Sequence, residues 1–232
     1  MLDHLMLQPL FPLALTVGVF AGAVFVSSCT KGYPLANPVL MSVTALILFL
    51  SITQIPYERY FAGAQFIHFL LGPATVALAV PLFRHLHRVR ASALPILVGI
   101  GAGSASGALS VVLIAWVFGA QEQLAASLVT KSVTAPVSMA IAPQIGGVPS
   151  LAAIFSVVTG MIGAAFGPAL LNRLGVEDQM HRGVAMGTAS HGQGTARILQ
   201  ESEEAGAFSA LAMGLTALAM ALLLPALSLL IL

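Results

Sequence analysis

Six apolar runs of roughly bilayer length follow one another along this chain and constrain its fold more than any other feature. They are Pro9–Val26, Pro38–Ile55, Phe66–Phe83, Leu94–Phe118, Val148–Leu171 and Ala207–Leu232. A helix needs about 20 mostly apolar residues to cross a hydrocarbon core. Only 7% of the 232 residues are charged, where a soluble domain carries about 25%. The polar residues that remain are too few to coat a water-soluble fold, and the mean hydropathy of +0.98 agrees. In lipid the same apolar outer faces become the favourable ones. Two further segments, Ser127–Gln144 and Gly183–Leu199, are long enough but unusually polar. The sequence therefore predicts an all-α membrane protein with about eight membrane segments, two of them discontinuous or re-entrant.

No hydrophilic linker divides the chain, so residues 1–232 are expected to form a single transmembrane domain. The two halves look loosely alike. Each holds four segments, and the third is interrupted by Pro or Gly: Gly72, Pro73 and Pro81 in one half, Gly187, Gly192 and Gly194 in the other. An internal repeat of this kind is common in secondary transporters. Leu5–Val26 is read as a retained first helix, because Asp3 and His4 precede it in place of the positive region of a signal peptide. Arg84, Arg88 and Arg90 mark their loop as cytoplasmic, and Lys31 falls on the same side two crossings earlier. Arg173 and Arg182 join them only if Ser127–Gln144 re-enters instead of crossing. Small residues four apart (Gly18 and Gly22; Gly99, Gly103 and Gly107; Gly163 and Gly167) let helices approach closely in lipid. Packing within the chain is preferred for them over a homo-oligomer.

A net charge of +1 gives no electrostatic case for nucleic acid. The single cysteine, Cys29, excludes a disulfide within the chain. The six histidines are scattered, which argues against a metal site, and no cofactor is expected.

The two polar segments carry the candidate site. In the first, Lys131, Thr134 and Ser138 would share one face of a helix, with Ser132 beside them and Pro136 removing a backbone donor. In the second, Thr188, His191 and Thr195 repeat that spacing. There Ser190 neighbours the histidine, Gly192 and Gly194 permit an unwound turn, and Arg197 supplies a cation. Ionisable groups inside a membrane segment are functional candidates. Neither segment contains Asp or Glu. Two cations, hydroxyls and an imidazole suit a small carboxylate, with His191 able to couple a proton. A hydrolase fits worse, since no acid in the same segment orients His191. The protein is not expected to be an enzyme.

At these residues the chain resembles the LrgB/CidB family over nearly its full length, most closely from Ser127 onward. The motifs are Asn37-Pro38, Gly72-Pro73 running to Pro81-Leu82, Lys131-Ser132-Val133-Thr134-Ala135-Pro136, Gly146-Gly147, Gly187-Thr188-Ala189-Ser190-His191, Gly194-Thr195-Ala196-Arg197, and Glu204 followed by Gly206-Ala207-Phe208-Ser209. Ala135, Gln193 and Phe83 depart from the family's usual pattern of threonine, an apolar residue and tyrosine. The resemblance implies a multi-pass protein of the bacterial inner membrane, often paired with a small LrgA/CidA-like membrane protein. Bacterial members are described as antiholin-like modulators of murein hydrolase export and cell lysis, some with links to pyruvate. Plastid relatives look like glycolate/glycerate translocators. The expected function is transport of small monocarboxylates or 2-hydroxycarboxylates of the glycolate, glycerate, pyruvate or lactate class. The alternative is an antiholin-like modulator.

Overall fold

The computed structural model describes residue 8, residues 10–30 and residues 36–231, and all regular structure among them is helical. Asp3, His4 and Lys31, used above to orient the chain, lie outside the described residues. Among the described residues four helices are long and apolar enough to cross a membrane: Leu10–Cys29, Ala93–Val117, Pro149–Arg173 and Glu203–Ala226. The chain divides into two compact units, Met1–Ala77 and Leu78–Leu232.

The first unit contains α1 (Leu10–Cys29), α2 (Pro38–Thr53), α3 (Tyr57–Phe69) and α4 (Leu71–Ala77). Asn37 starts α2: its Oδ1 accepts from the amides of Val39 at 2.9 Å and Leu40 at 3.1 Å, satisfying donors that have no partner within the helix. Gln54 ends it at a positive φ of 55°. With 16 residues, α2 is a shorter apolar helix. Inside this unit α1 meets α3, where Thr16 Oγ1 lies 2.6 Å from Tyr60 Oη.

The second unit holds α5 (Ala79–Arg84), α6 (Leu86–Ala91), α7 (Ala93–Val117), α8 (Glu122–Val129), α9 (Ala135–Ile141), α10 (Pro149–Arg173), α11 (Gln179–Leu199) and α12 (Glu203–Ile231). One expected segment, and the helical stripe expected in another, are corrected here. Phe66–Phe83 is not one helix: it is shared among α3, α4 and α5, broken around Leu70 and Leu78. Ser127–Gln144, expected to be discontinuous or re-entrant, is indeed interrupted. A 3-10 turn at Thr130–Ser132 leads into extended backbone at Val133 and Thr134 before α9 begins, with Pro136 in its first turn. Lys131, Thr134 and Ser138 therefore do not form a stripe on a continuous helix. Instead Thr130 Oγ1 meets Ser138 Oγ at 2.5 Å across the break.

This first polar segment folds back on itself. Ser127 Oγ, at its start, accepts from the Val148 amide at 2.8 Å, just beyond its end. The second polar segment folds back too. Its bend is at His191 (φ 40°, ψ −132°), not at Gly192–Gly194 as expected. Arg182 in the first limb reaches Glu201 beyond the second at 2.9 Å. On a straight helix those positions would lie roughly 28 Å apart.

Helix α10 fixes how the two hairpins are placed. It has 25 residues, so its ends are roughly 37 Å apart. The first hairpin has its mouth at Val148, beside the start of α10. The second is anchored beside the end of α10, where Arg182 Nη1 donates to Asn172 Oδ1 at 2.7 Å and to the Val176 carbonyl at 2.9 Å. The hairpins therefore come in from opposite ends of α10.

The end that holds Arg173 also holds the arginine-rich loop. Arg88 bridges Asp178 at 2.6 Å and Glu204, and Arg84 pairs with Glu203 at 2.7 Å. Arg84, Arg88 and Arg182 thus share one end of this unit, called here the arginine-rich end. Partial burial opposes ionisation of Asp178, yet the His181 amide and the Arg88 guanidinium hold its carboxyl below the usual carboxylate range.

Small residues set the packing around the second hairpin. A Cβ on Gly187 would lie 2.9 Å from the Ser209 backbone carbon, so α11 and α12 touch backbone to side-chain-free backbone. Phe208, fully buried, packs with Ile96, Ile100, Met180 and Ala212.

Candidate functional site

The breaks in the two hairpins meet at Ser156 of α10. Its hydroxyl donates to the Val133 carbonyl in the first break. Its own carbonyl lies 2.9 Å from His191 Nε2 at the second bend, and its hydroxyl lies 3.5 Å from the same nitrogen. A carbonyl can only accept, so this contact assigns the proton of neutral His191 to Nε2. Ser156 and His191 are both buried. Ser156 is seven positions from Pro149, so the tips meet roughly 10 Å from the start of α10 and well short of its other end.

Burying His191 at a positive φ keeps a strained backbone in place, and the surroundings hold it firmly. Thr195 Oγ1 donates to the His191 carbonyl at 2.9 Å and contacts Ser209 Oγ of α12 at 2.8 Å. Gly160 of α10 leaves room for the imidazole, since a Cβ there would sit 2.7 Å from His191 Cε1.

A cleft of about 670 Å³ runs beside this junction. One wall is the face of α7 that carries Gly99, Gly103, Ser106, Gly107 and Ser110. The other walls come from the first limb of α11 and from Lys131 and Ser132. The glycines keep the α7 wall thin: a Cβ on Gly99 would be 3.7 Å from Val184 Cγ1, one on Gly103 3.1 Å from Thr188 Cγ2, and one on Gly107 3.7 Å from Ser132 Oγ.

Lys131 lines this cleft and is half-buried. Its ammonium donates only weakly, to the Gly107 carbonyl at 3.5 Å. Among the described residues no carboxylate pairs with it. Thr188 lines the cleft from α11, and its Oγ1 is buried without a hydrogen-bond partner. A half-buried ammonium with no carboxylate partner, in the wall of a cleft, is a group that a small anion could satisfy.

The expected site residues thus separate into four places. Lys131, Ser132 and Thr188 line the cleft. Ser190, His191, Gly194 and Thr195 are buried behind it, in the packing of α10, α11 and α12, and Gly192 faces Met213 Sδ. Thr134 caps α9 by position, with no side-chain bond to the helix, and its carbonyl accepts the Ser138 amide. Arg197 lies elsewhere: it pairs with Glu201 at 2.9 Å, so it shares a carboxylate with Arg182. Sequence reasoning missed Ser156. A signal existed, because Ala152, Ser156, Gly160, Ala164 and Pro168 repeat every four residues and all are buried along α10.

Helices of membrane-spanning length and two facing hairpins that bury polar groups between them define a helical membrane protein. The comparisons narrow this class. The chain belongs to the LrgB-like family, whose model matches residues 16–230. It is 37% identical to YxaC of Bacillus subtilis over 184 residues, 79% of this chain and 80% of that protein. It is 33% identical to YwbG of the same organism over 208 residues, 89% and 91% of the two chains. It is 32% identical to the Holin-like protein CidB of Staphylococcus epidermidis over 197 residues, 85% and 86%. No solved structure matches the chain.

Proposed function

We propose that this protein carries small monocarboxylates or 2-hydroxycarboxylates, of the glycolate, glycerate, pyruvate or lactate class, across a bacterial inner membrane. The observation that supports this reading is Lys131, a half-buried cation in the wall of a cleft, with no carboxylate among the described residues to neutralise it. Two broken hairpins from opposite ends add to it, since irregular backbone at membrane depth is tolerated where it is buried or lines a wet cavity. On this reading His191 couples a proton to the anion. The chain is multi-pass and works as one domain of about eight membrane segments, with the Ser127–Gln144 and Gly183–Leu199 segments re-entering. The four-plus-four repeat is part of the same proposal, although the two compact units divide at 77/78 and not between the fourth and fifth segments. The arginine-rich end is assigned to the cytoplasm.

The comparisons favour a second reading over this one. The staphylococcal relatives carry the name holin-like, which speaks for an antiholin-like modulator of murein hydrolase export and lysis. Both readings accommodate a small LrgA/CidA-like membrane partner.

Purified protein in liposomes separates them. Saturable uptake of labelled glycolate, pyruvate or lactate, measured with and without an LrgA-like partner, is expected from a carrier. Leakage of unrelated dyes without saturation is expected from a holin-like pore and would refute the carrier.

A further inference from the structure

The cleft that ends at Lys131 is not symmetric between the two ends of its unit. Its lining starts at Pro95 and Ile96 on α7 and at Met180 and His181 on α11. These residues neighbour the arginine-rich end: Pro95 lies five positions after Arg90, and Asp178, held by Arg88, caps α11. From there the lining climbs α7 in steps through Gly99, Gly103 and Gly107, and it goes no farther than Ser110. Pro95 to Ser110 spans roughly 22 Å of helix. No residue of α7 beyond Ser110, nor of α8, lines it.

The far side is closed by the first hairpin. Ser127 and Val148 are joined at its mouth. Ser138 Oγ of α9 donates to the Ala152 carbonyl of α10 at 3.2 Å. Val133 is tied to Ser156, and Val133 and Ile141 pack against Met220 of α12. The side chains that make these contacts, Ser127, Val133, Ser138, Ile141 and Ser156, are buried, while the outer face of the hairpin at Met139, Ala140, Pro143 and Gln144 is exposed; along the route His181, Ser106 and Ser110 are exposed.

We infer that the anion site at Lys131 is reached from the arginine-rich end alone, along the groove between the glycine face of α7 and the first limb of the second hairpin, with the first hairpin closing the opposite end. The inference rests on the carrier reading above for its ligand, a small monoanion, but not for its geometry. Gly99 and Gly103 determine how wide the route is. A side chain at Gly103 would meet Thr188 at once, since even a Cβ lies 3.1 Å from its methyl group. At Gly99 there is space for a Cβ but not for a large side chain opposite Val184.

The test uses single cysteines at Ser110 and Ser132 in full-length protein carrying Cys29→Ser, reconstituted in vesicles. A third protein, Ser92→Cys, reports which side presents the arginine-rich end. The probe is a membrane-impermeant, negatively charged thiol reagent. Ser110→Cys and Ser132→Cys are expected to react from the side that labels Ser92→Cys, with at least a tenfold slower reaction from the other side. Adding Gly99→Leu to Ser110→Cys is expected to slow that reaction severalfold, while the Ser92→Cys rate with Gly99→Leu stays unchanged. Comparable rates from both sides, faster reaction from the opposite side, or no reaction at either position would overturn the inference. Failure of the carrier reading would look different: sidedness as stated, with no saturable uptake of any carboxylate. Ser110 is exposed, so its variant keeps the test decisive if Ser132→Cys fails to fold.

Discussion

Arg182 offers the clearest way to test whether the second polar segment is a hairpin. Its side chain is only 8% exposed, yet it holds three partners: Glu201 at 2.9 Å, Asn172 Oδ1 at 2.7 Å and the Val176 carbonyl at 2.9 Å. It therefore ties the first limb of α11 to the second limb and to the end of α10. Removing one member of a buried ion pair costs about 3–5 kcal/mol, mostly because the other charge is stranded. Glu201 is 28% exposed and keeps Arg197 at 2.9 Å, so the stranding is partly relieved. The lower end, about 3 kcal/mol, is the expected loss for Arg182→Ala, or roughly a hundredfold in the ratio of folded to unfolded protein. Arg182→Lys keeps a charge but loses the planar fork that reaches three acceptors, and should fall between. The assay is reversible unfolding in mixed micelles by a denaturing detergent, followed by helical circular dichroism. Amide exchange in the same samples should rise first in residues 192–199, the limb that Arg182 anchors. An Arg182→Ala protein that unfolds within about 0.5 kcal/mol of the parent, the range of an ordinary surface change, would refute this account of the hairpin.

Three further outcomes are expected. Lys131→Gln should raise the KM for carboxylate uptake at least tenfold and Lys131→Arg should raise it less, because unit charges at 4 Å attract by about 4 kcal/mol at an effective dielectric of 20; equal KM for Lys131→Gln and parent in the uptake assay would remove Lys131 from the site. Gly187→Ala should destabilise the protein by about 1–3 kcal/mol or more through overpacking against Ser209, as read by the same unfolding assay; parent-like stability would mean that α11 and α12 are not in backbone contact there. The depressed carboxyl of Asp178 contributes stability that is present above the ordinary carboxylate value of 3.8 and is lost as pH falls through its lower folded value, so Asp178→Asn should flatten the acid limb of unfolding measured from pH 5 downward; an unchanged acid limb would exclude the Arg88–Asp178 pair as its source.

Much of this architecture was legible from residue types, and what was not legible follows from chain reversal. Apolar length picked out α1, α7, α10 and α12 within a few residues, because a bilayer imposes one length on every full crossing. Pro136 and the polar groups around it marked the first break correctly, since proline cannot continue the ladder of hydrogen bonds. The second break was misplaced by one residue. Glycine is the residue that usually tolerates positive φ, so Gly192 and Gly194 drew attention away from His191. Once each segment is known to double back, a helical stripe no longer groups residues. That is why Thr134, His191 and Thr195, grouped with Lys131 through matching helical spacings, do not line its cleft, and why Arg197 turns to Glu201. Ser156 escaped notice because it sits in an apolar helix. A lone serine there reads as packing until the two partners from distant segments are seen beside it.

The meeting of the hairpins has a cause in the solvent. Breaking a helix inside hydrocarbon leaves carbonyls and amides that water cannot reach, and each costs several kcal/mol if unpaired. Val133 leaves such a carbonyl, and Ser156 donates to it. The His191 bend leaves another, and Thr195 donates to it. The imidazole at that bend in turn uses the Ser156 carbonyl. One serine therefore serves both breaks, and neither would be stable at this depth without it or a substitute. A simple pore former needs only apolar helices that associate, so nothing in that role requires two breaks to share a partner. The proposed carrier role would use irregular backbone of this kind, which membrane proteins tolerate where it is buried or lines a cavity. The cleft at Lys131 lies on one side of this junction and the plug of the first hairpin on the other.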